Sequence, residues 1–172
     1  MEHTPAALPA TGGGGWLGAL QTSPIGVAMR ESLWLYPVVE VVHIIGFALL
    51  VGAIVAFDLR LMGVRGASLP ADVLSRLLLP LSVTGFLLAA PSGALLFTAE
   101  ATAYVRNPAF LLKLVLIGLA LLNILLFHSL IGRRMAGWSA VTPPPLAARI
   151  AGVASLALWI GALAAGRLIA YV

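Results

Sequence analysis

Four long apolar runs dominate the sequence and place the strongest constraint on its fold. They cover residues 33–57, 77–99, 110–131 and 150–172. Each is near the roughly 20 residues that a helix needs to cross a bilayer. Because the runs are continuous rather than alternating, and only helices or closed barrels satisfy the backbone inside lipid, helices are predicted. The predicted fold is an all-α integral membrane bundle of four helices.

The composition agrees with a surface that faces lipid. The 172 residues are 61% hydrophobic and 9% charged, whereas soluble domains carry about 25% charged residues. The chain has no cysteine, which excludes disulfides, thiolate metal ligands, iron–sulfur clusters and covalent c-type haem. The net charge of +4 is scattered between the apolar runs, which indicates membrane topology rather than nucleic-acid binding.

The N-terminal region differs from the rest. Residues 1–22 contain two prolines and four consecutive glycines and are predicted to form a flexible tail without the basic start and apolar core of a signal peptide. Ser23 and Pro24 are typical of a helix start and predict a short interfacial helix, with Trp16 and Trp34 at headgroup level. Residues 23–172 form a single predicted domain.

The connections between the runs are short, which predicts antiparallel neighbours. Basic residues divide unequally between the two sides. One side carries Arg60, Arg65, Arg76, Arg133, Arg134 and Arg149, and the other carries Arg30, Arg106, Lys113 and Arg167. The first side is therefore predicted to be cytoplasmic, with both termini in the periplasm of a bacterial inner membrane.

Small residues recur at four-residue spacing in two runs and predict close helix contacts. They are Gly85, Ala89 and Gly93 in the second run, and Ala147, Ala151 and Ser155 in the fourth. Such faces favour close packing of helices, or the approach of a flat cofactor. Pro91 is predicted to kink the second helix.

Ionisable residues inside a membrane are functional candidates, because burying them is costly. His43 and His128 lie within the first and third runs. Imidazoles on two helices would clamp a b-type haem, and Gly46, three residues after His43, would leave room for the porphyrin. The alternative is that each histidine only makes a hydrogen bond between helices.

The depths of the two histidines constrain this hypothesis. His43 lies ten residues into its run and His128 eighteen residues into a run that enters from the same side. At about 1.5 Å per residue, this offset is roughly 12 Å. Either each histidine serves a different haem, or only one of them is a ligand, unless tilt brings them level.

Further polar residues have predicted supporting roles. Glu40 lies three residues before His43, a spacing also found in di-iron bundles, but the chain has no second Glu-x-x-His. Glu40 is therefore predicted to orient His43 or to relay protons. Lys113 and Arg30 would pair with haem propionates or an anionic substrate, although Lys113 could equally extend to the membrane surface.

Two other predictions concern helix contacts. Asp58 and Arg60, at the end of the first run, are predicted to form a boundary ion pair. Asn123, in the third run, is predicted to hydrogen-bond between helices.

The stretch LWLYPVVEVVHIIGFALLVGAIVAFDLRLMG, residues 33–63, resembles an uncharacterised family of small bacterial membrane proteins with Glu-x-x-His and Asp-Leu-Arg-Leu in the first helix. NPAFLLKLVLI, residues 107–117, fits the same family. More loosely, the chain is similar to HemJ-type protoporphyrinogen oxidases and CopD-type copper proteins. The HemJ resemblance implies haem b at His43 and a role for Lys113, although Asp58-Leu59-Arg60-Leu61 stands where that family has a Tyr-Leu-Pro-Arg-Leu-like segment.

These observations predict a membrane b-type haem protein in electron transfer, with quinone, other membrane redox subunits or a second copy as candidate partners. If it is an enzyme, it would be a haem-dependent membrane oxidoreductase. Two alternatives stay open. One is a small transporter or copper-handling protein that uses Glu40 and His43, and the other is a structural subunit of a larger membrane complex.

Overall fold

Seven helices and no strand form the part of the chain that the computed structural model describes, which is residues 15–64, 70–132, 138 and 143–172. They are α1 (Trp16–Gln21), α2 (Pro24–Glu31), α3 (Leu35–Leu61), α4 (Ala71–Ala99), α5 (Ala101–Arg106), α6 (Pro108–Leu126, continued by a π-helical turn, Phe127–Ile131) and α7 (Leu146–Leu168). The predicted all-α bundle is confirmed. Residues 1–14 and the predicted topology residues Arg65, Arg133 and Arg134 lie outside the described residues.

Four of these helices are long enough to cross a membrane. They are α3, α4, α6 with its π-helical turn, and α7, with 27, 29, 24 and 23 residues. The shortest extends about 34 Å at 1.5 Å per residue, against a hydrocarbon core of about 30 Å. Large apolar side chains such as Leu77, Leu87 and Leu130 are exposed on them. The chain is a multi-pass membrane protein whose outer surface is suited to lipid.

The helix boundaries differ from the predicted runs at the polar ends. α4 begins at Ala71 rather than residue 77 and includes Asp72, Ser75 and Arg76. Such side chains are compatible with a helix, and they only mark where it leaves the apolar core of the bilayer. α4 also continues through both Pro80 and Pro91.

The N-terminal segment is more ordered than the sequence indicates. The predicted helix α2 is confirmed, and the Ser23 hydroxyl accepts a hydrogen bond from the Gly26 amide at 3.1 Å. Residues 16–21, predicted as part of the flexible tail, instead form α1. The Gln21 side chain holds α1 in place, because its Oε1 accepts hydrogen bonds from the amide and hydroxyl of Thr102, at 3.2 and 2.7 Å.

The closest helix contact joins α3 and α4 through glycines. A Cβ atom added to Gly46 would lie 2.7 Å from the Ala89 amide nitrogen, and one added to Gly85 would lie 2.6 Å from the Gly46 carbonyl oxygen. Real Cβ atoms essentially never approach so closely, so neither position has space for a side chain. The predicted packing role of Gly85 and Ala89 is therefore confirmed.

On α7 the buried small-residue stripe shares Ser155 with the predicted one, but its other members lie one residue further along the chain. Ala148, Gly152 and Ser155 are buried, whereas Ala147 is exposed. Spacing alone did not distinguish the two overlapping stripes, because small residues occupy both. The buried stripe faces α3, where a Cβ on Gly152 would lie 3.3 Å from the Asp58 carbonyl oxygen.

The four spans pack closely in the series α4–α3–α7–α6, and α4 and α6 at its two ends make at most isolated close backbone approaches. The central core combines Leu50, Val51 and Ile54 of α3 with Ala120 of α6 and Trp159 of α7. We call the less closely packed side between α4 and α6 the lateral cleft. We call the end of the bundle where α5 lies and α3 begins the α5 end. The opposite end, where Arg60, Arg76 and Arg149 lie, is the arginine end.

We expect Gly46→Ala to lower the free energy of unfolding by about 1–3 kcal/mol, because the added methyl group overpacks the α3–α4 contact. Gly52→Ala on the same helix is the matched control, since a Cβ there meets nothing within 4 Å. Thermal unfolding in detergent, followed by tryptophan fluorescence, measures both. Equal melting temperatures for the two variants would contradict this packing role.

Candidate functional site

One face of α3 carries four polar residues. They are Tyr36, Glu40, His43 and Asp58. Successive members are four, three and fifteen residues apart, which places all four within about 60° of one another around the helix axis. The polar residues of the other spans gather near two points along this face. His43 marks the first point, toward the α5 end, and Asp58 marks the second, toward the arginine end.

The His43 site is built by hydrogen bonds to α4. Its Nδ1 lies 2.8 Å from the Ala89 carbonyl oxygen and 3.2 Å from the Ser92 hydroxyl. A carbonyl oxygen only accepts, so Nδ1 carries the hydrogen and Nε2 keeps its lone pair. Gly93 makes room for the ring, because a Cβ there would lie 2.9 Å from His43 Cε1. The imidazole is thus fixed in the tautomer whose Nε2 can bind a metal.

Sequence reasoning missed the contribution of Ser92 and the specific role of Gly93. Gly93 belongs to the small-residue stripe of α4, but its partner is an imidazole rather than a helix backbone. The hydroxyl of Ser92 stood out as polar within an apolar run, and this signal could have identified it. Its contact with His43 depends on how α3 and α4 are aligned, which the sequence does not specify.

Lys113 is the cation of this site. Its Nζ lies 5.9 Å from the centroid of the Phe47 ring, and a Cβ on Gly166 would lie 3.5 Å from it. The lysine therefore extends between α3 and α7, close enough for its charge to act on His43. Within the described ranges no carboxylate forms an ion pair with Lys113, so its charge is available to an anion.

Three other predicted site residues have different surroundings. Glu40 is exposed and near His43, but the group that orients the imidazole is the Ala89 carbonyl. Arg30 donates hydrogen bonds to the Gln21 and Ala99 carbonyl oxygens at 2.8 and 3.0 Å, which joins α2 to the ends of α1 and α4.

Gly46, predicted to leave room for a porphyrin, instead lies against the backbone of α4. The space on that side of α3 is filled by Leu88 and Ala89. A ligand of His43 would therefore have to lie on the side toward α6.

Aromatic rings close the α5 end of the cleft. Phe97 of α4 stacks on Phe110 of α6 with 5.5 Å between centroids, and Tyr104 of α5 lies 5.3 Å from Phe110. The Tyr104 hydroxyl lies 3.5 Å from that of Tyr36, and burial raises the pKa of Tyr104. A ligand at His43 is thus screened from the aqueous phase at this end.

The second polar point is a cavity of about 60 Å³ near the arginine end. Its polar lining comes from all four spans and comprises Asp58, Ser75, Ser82, Asn123, His128 and Ser155. We call it the Asp58 cavity. The Asn123 side chain donates to the Ala151 carbonyl oxygen at 3.0 Å, so the predicted bond between helices is confirmed.

Asp58 and Arg60, which are predicted to form a boundary ion pair, both lie in the described part of α3. Both are buried, at 4% and 1% exposure, but they are two residues apart on a helix and project in different directions. The Asp58 Oδ2 atom has no hydrogen-bond partner among the described residues. Ser155 is the polar neighbour of the carboxyl group.

The two histidines lie at opposite ends of the bundle. Fifteen residues separate His43 from Asp58, which is about 22 Å of helix axis, and His128 lines the Asp58 cavity. A single haem clamped between them is excluded by this distance. Over the described ranges, no group of three or more His, Asp or Glu residues is placed to hold a metal ion.

Comparisons with protein-family models, with curated proteins and with solved structures find no match to this chain.

We expect the His43 imidazole to be the Nδ1–H tautomer, because the Ala89 carbonyl accepts its hydrogen. NMR of protein labelled with ¹⁵N-histidine tests this, with His43→Gln used to assign the signal. His128 serves as the internal comparison. A signal from His43 with the hydrogen on Nε2 would contradict the arrangement described here.

Proposed function

We propose that the protein is a membrane b-type haem protein in electron transfer, with His43 as an axial ligand. The observation that carries the proposal is the hydrogen bond from Nδ1 to the Ala89 carbonyl, which leaves the lone pair of the basic Nε2 free to bind a metal. Haem-ligating histidines are commonly held in this way by a hydrogen bond from their other ring nitrogen. Bound haem would supply one-electron redox chemistry.

The surroundings of His43 fit this group in charge and access. Haem b carries two propionates, and the Lys113 ammonium has no carboxylate partner within the described chain. α4 and α6 make at most isolated close backbone approaches, so the lateral cleft is the side from which a membrane-soluble molecule would reach His43. Lys113 would then pair with a propionate, as a cation buried beside an apolar ring favours an anionic partner.

The proposal uses only one of the two histidines, since His128 is too far from His43 to share an iron. The copper-handling alternative has less support, because three clustered ligands are absent from the described residues around Glu40 and His43. If the protein were only a structural subunit, the fixed tautomer of His43 and the unpaired charge of Lys113 would have no role.

We also propose an electron partner and an orientation in the membrane. A membrane quinone is small and apolar enough to use the lateral cleft and is the proposed redox partner; further redox subunits or a second copy are other candidates. We place the arginine end on the cytoplasmic side of a bacterial inner membrane and both termini in the periplasm, following the distribution of basic residues.

We expect protein purified from cells with ample haem to show the Soret band and a reduced α band of haem b. His43→Ala should abolish both, because it removes the axial nitrogen. His128→Ala is the matched control and should keep the full haem content per protein. Absorption spectra of the oxidised and reduced proteins measure this, with thermal unfolding used to confirm that each variant is folded.

Absence of a Soret band from the folded wild-type protein would refute the haem proposal. Unchanged haem content in folded His43→Ala protein would refute the assignment of the ligand instead.

Lys113 has its own expected effect. Lys113→Gln should accelerate haem loss by about tenfold or more, because a charge-assisted hydrogen bond contributes about 1.5–3 kcal/mol. Arg106→Gln changes the same charge at the α5 end and should leave the rate unchanged, since Arg106 is exposed on α5. Transfer of haem to excess apomyoglobin measures the rate, and equal rates for both variants would show that Lys113 does not contact the propionates.

A further inference from the structure

The Asp58 cavity is separate from the His43 site and has a lining of its own. Its volume of about 60 Å³ is enough for about four water molecules, at 10–15 Å³ for each probe-sized position. Six polar side chains from four helices line it within an otherwise apolar bundle. In a membrane, polar groups gathered around a cavity indicate contact with water or an ion.

Asp58 gives the cavity its charge. Its side chain is 4% exposed, and its Oδ2 atom has no hydrogen-bond partner in the described part of the chain. An unpartnered carboxylate oxygen is costly in an apolar interior unless water, a cation or a proton satisfies it. Asp58 lines a cavity large enough for water, so the cavity is the place from which water would reach its carboxyl group.

The neighbouring hydroxyls present acceptors to this space. Ser75 donates its hydrogen to the Asp72 carbonyl oxygen at 2.8 Å, and Ser82 donates to the Leu79 carbonyl oxygen at 2.9 Å. With their hydrogens used within α4, their oxygens are left to accept. The lining therefore favours a species that donates hydrogen bonds or carries positive charge.

The length of the cavity decides between a coordinated metal ion and water. Ser75 and Ser82 are seven residues apart on α4, or about 10 Å, and Asn123 and His128 on α6 are about 7 Å apart. Oxygen ligands of one ion lie within about 2.3–2.6 Å of it, so these groups do not share a coordination sphere. A narrow cavity of this length suits a short chain of water molecules.

We propose that the Asp58 cavity is a proton-exchange site, in which Asp58 takes up and releases protons through water that enters from the arginine end. On protonation, a hydronium ion transfers its proton to the Asp58 carboxylate and leaves water, and release reverses the step. His128 of α6 is the other titratable group that lines the cavity, whereas α4 and α7 contribute serines there. Arg149 of α7 lies at the arginine end, where it donates to the Met62 carbonyl oxygen at 3.4 Å.

This proposal goes beyond the redox function and does not depend on it. Haem is placed at His43, and the Asp58 cavity lies about 22 Å away along α3. Tests of the two proposals are therefore independent, and a protein without haem could still exchange protons at Asp58.

Access of water is tested with single cysteines, because the chain has none of its own. In membrane vesicles, Ser75→Cys and Ser82→Cys should react with a charged thiol reagent at least about tenfold faster than Leu81→Cys, since the reactive thiolate forms only in contact with water. Leu81 is the matched control on the exposed, lipid-facing side of α4. Equal rates at all three positions would overturn the water-filled cavity.

Proton exchange is tested by infrared spectroscopy of the full-length protein across a pH titration. We expect one carboxyl band to appear and disappear reversibly with pH, and Asp58→Asn to remove it while Asp72→Asn leaves it in place. If Asp58→Asn does not fold, Asp58→Glu must instead move the band or its midpoint. A carboxyl signal that is the same in wild-type and folded Asp58 variants would overturn the proposal.

Discussion

The contact between α3 and α4 is the interaction on which both sites depend. At Gly46 and Gly85 the two backbones meet without side chains between them. This closeness brings the Ala89 carbonyl within hydrogen-bonding distance of His43 and fixes the register of the polar face of α3 against α4. In lipid, where no hydrophobic effect drives helices together, such tight van der Waals contact is a principal source of association. A small change in this contact would therefore alter the geometry at His43 before it altered the fold.

The centre of the bundle separates the two polar ends. Leu50, Ile54 and Trp159 fill it, and Phe47 packs on Trp159 with 6.0 Å between ring centroids. The Trp159 indole nitrogen is buried and has no hydrogen-bond partner among the described residues. An unpaired N–H costs about 1–3 kcal/mol in such surroundings. Apart from this indole nitrogen the core cluster is apolar, so its side chains form no polar chain from His43 to Asp58.

The sequence predicted the fold well because each span is an uninterrupted apolar run, and length alone then requires a helix. Local features with their own chemistry were also predictable, such as the Ser23 cap and the bond from Asn123. α1 was missed because the glycines before it suggested a flexible tail, whereas its order comes from distant contacts of Gln21.

The sequence predicted which residues belong to the site but not how they are arranged. His43 and Lys113 do lie close together, yet Gly46 serves packing and Arg30 joins helix ends. Asp58 and Arg60 are both buried, and as residues two apart on a helix they project in different directions. Their real surroundings depend on which helices meet, and the open position between α4 and α6 is set by long-range packing.

Small residues line the α3–α4 and α3–α7 contacts, whereas large residues such as Leu79 and Ile124 border the cleft, so close approach fails on that side. The same packing that makes the bundle stable thus leaves both polar sites facing its one loosely packed side.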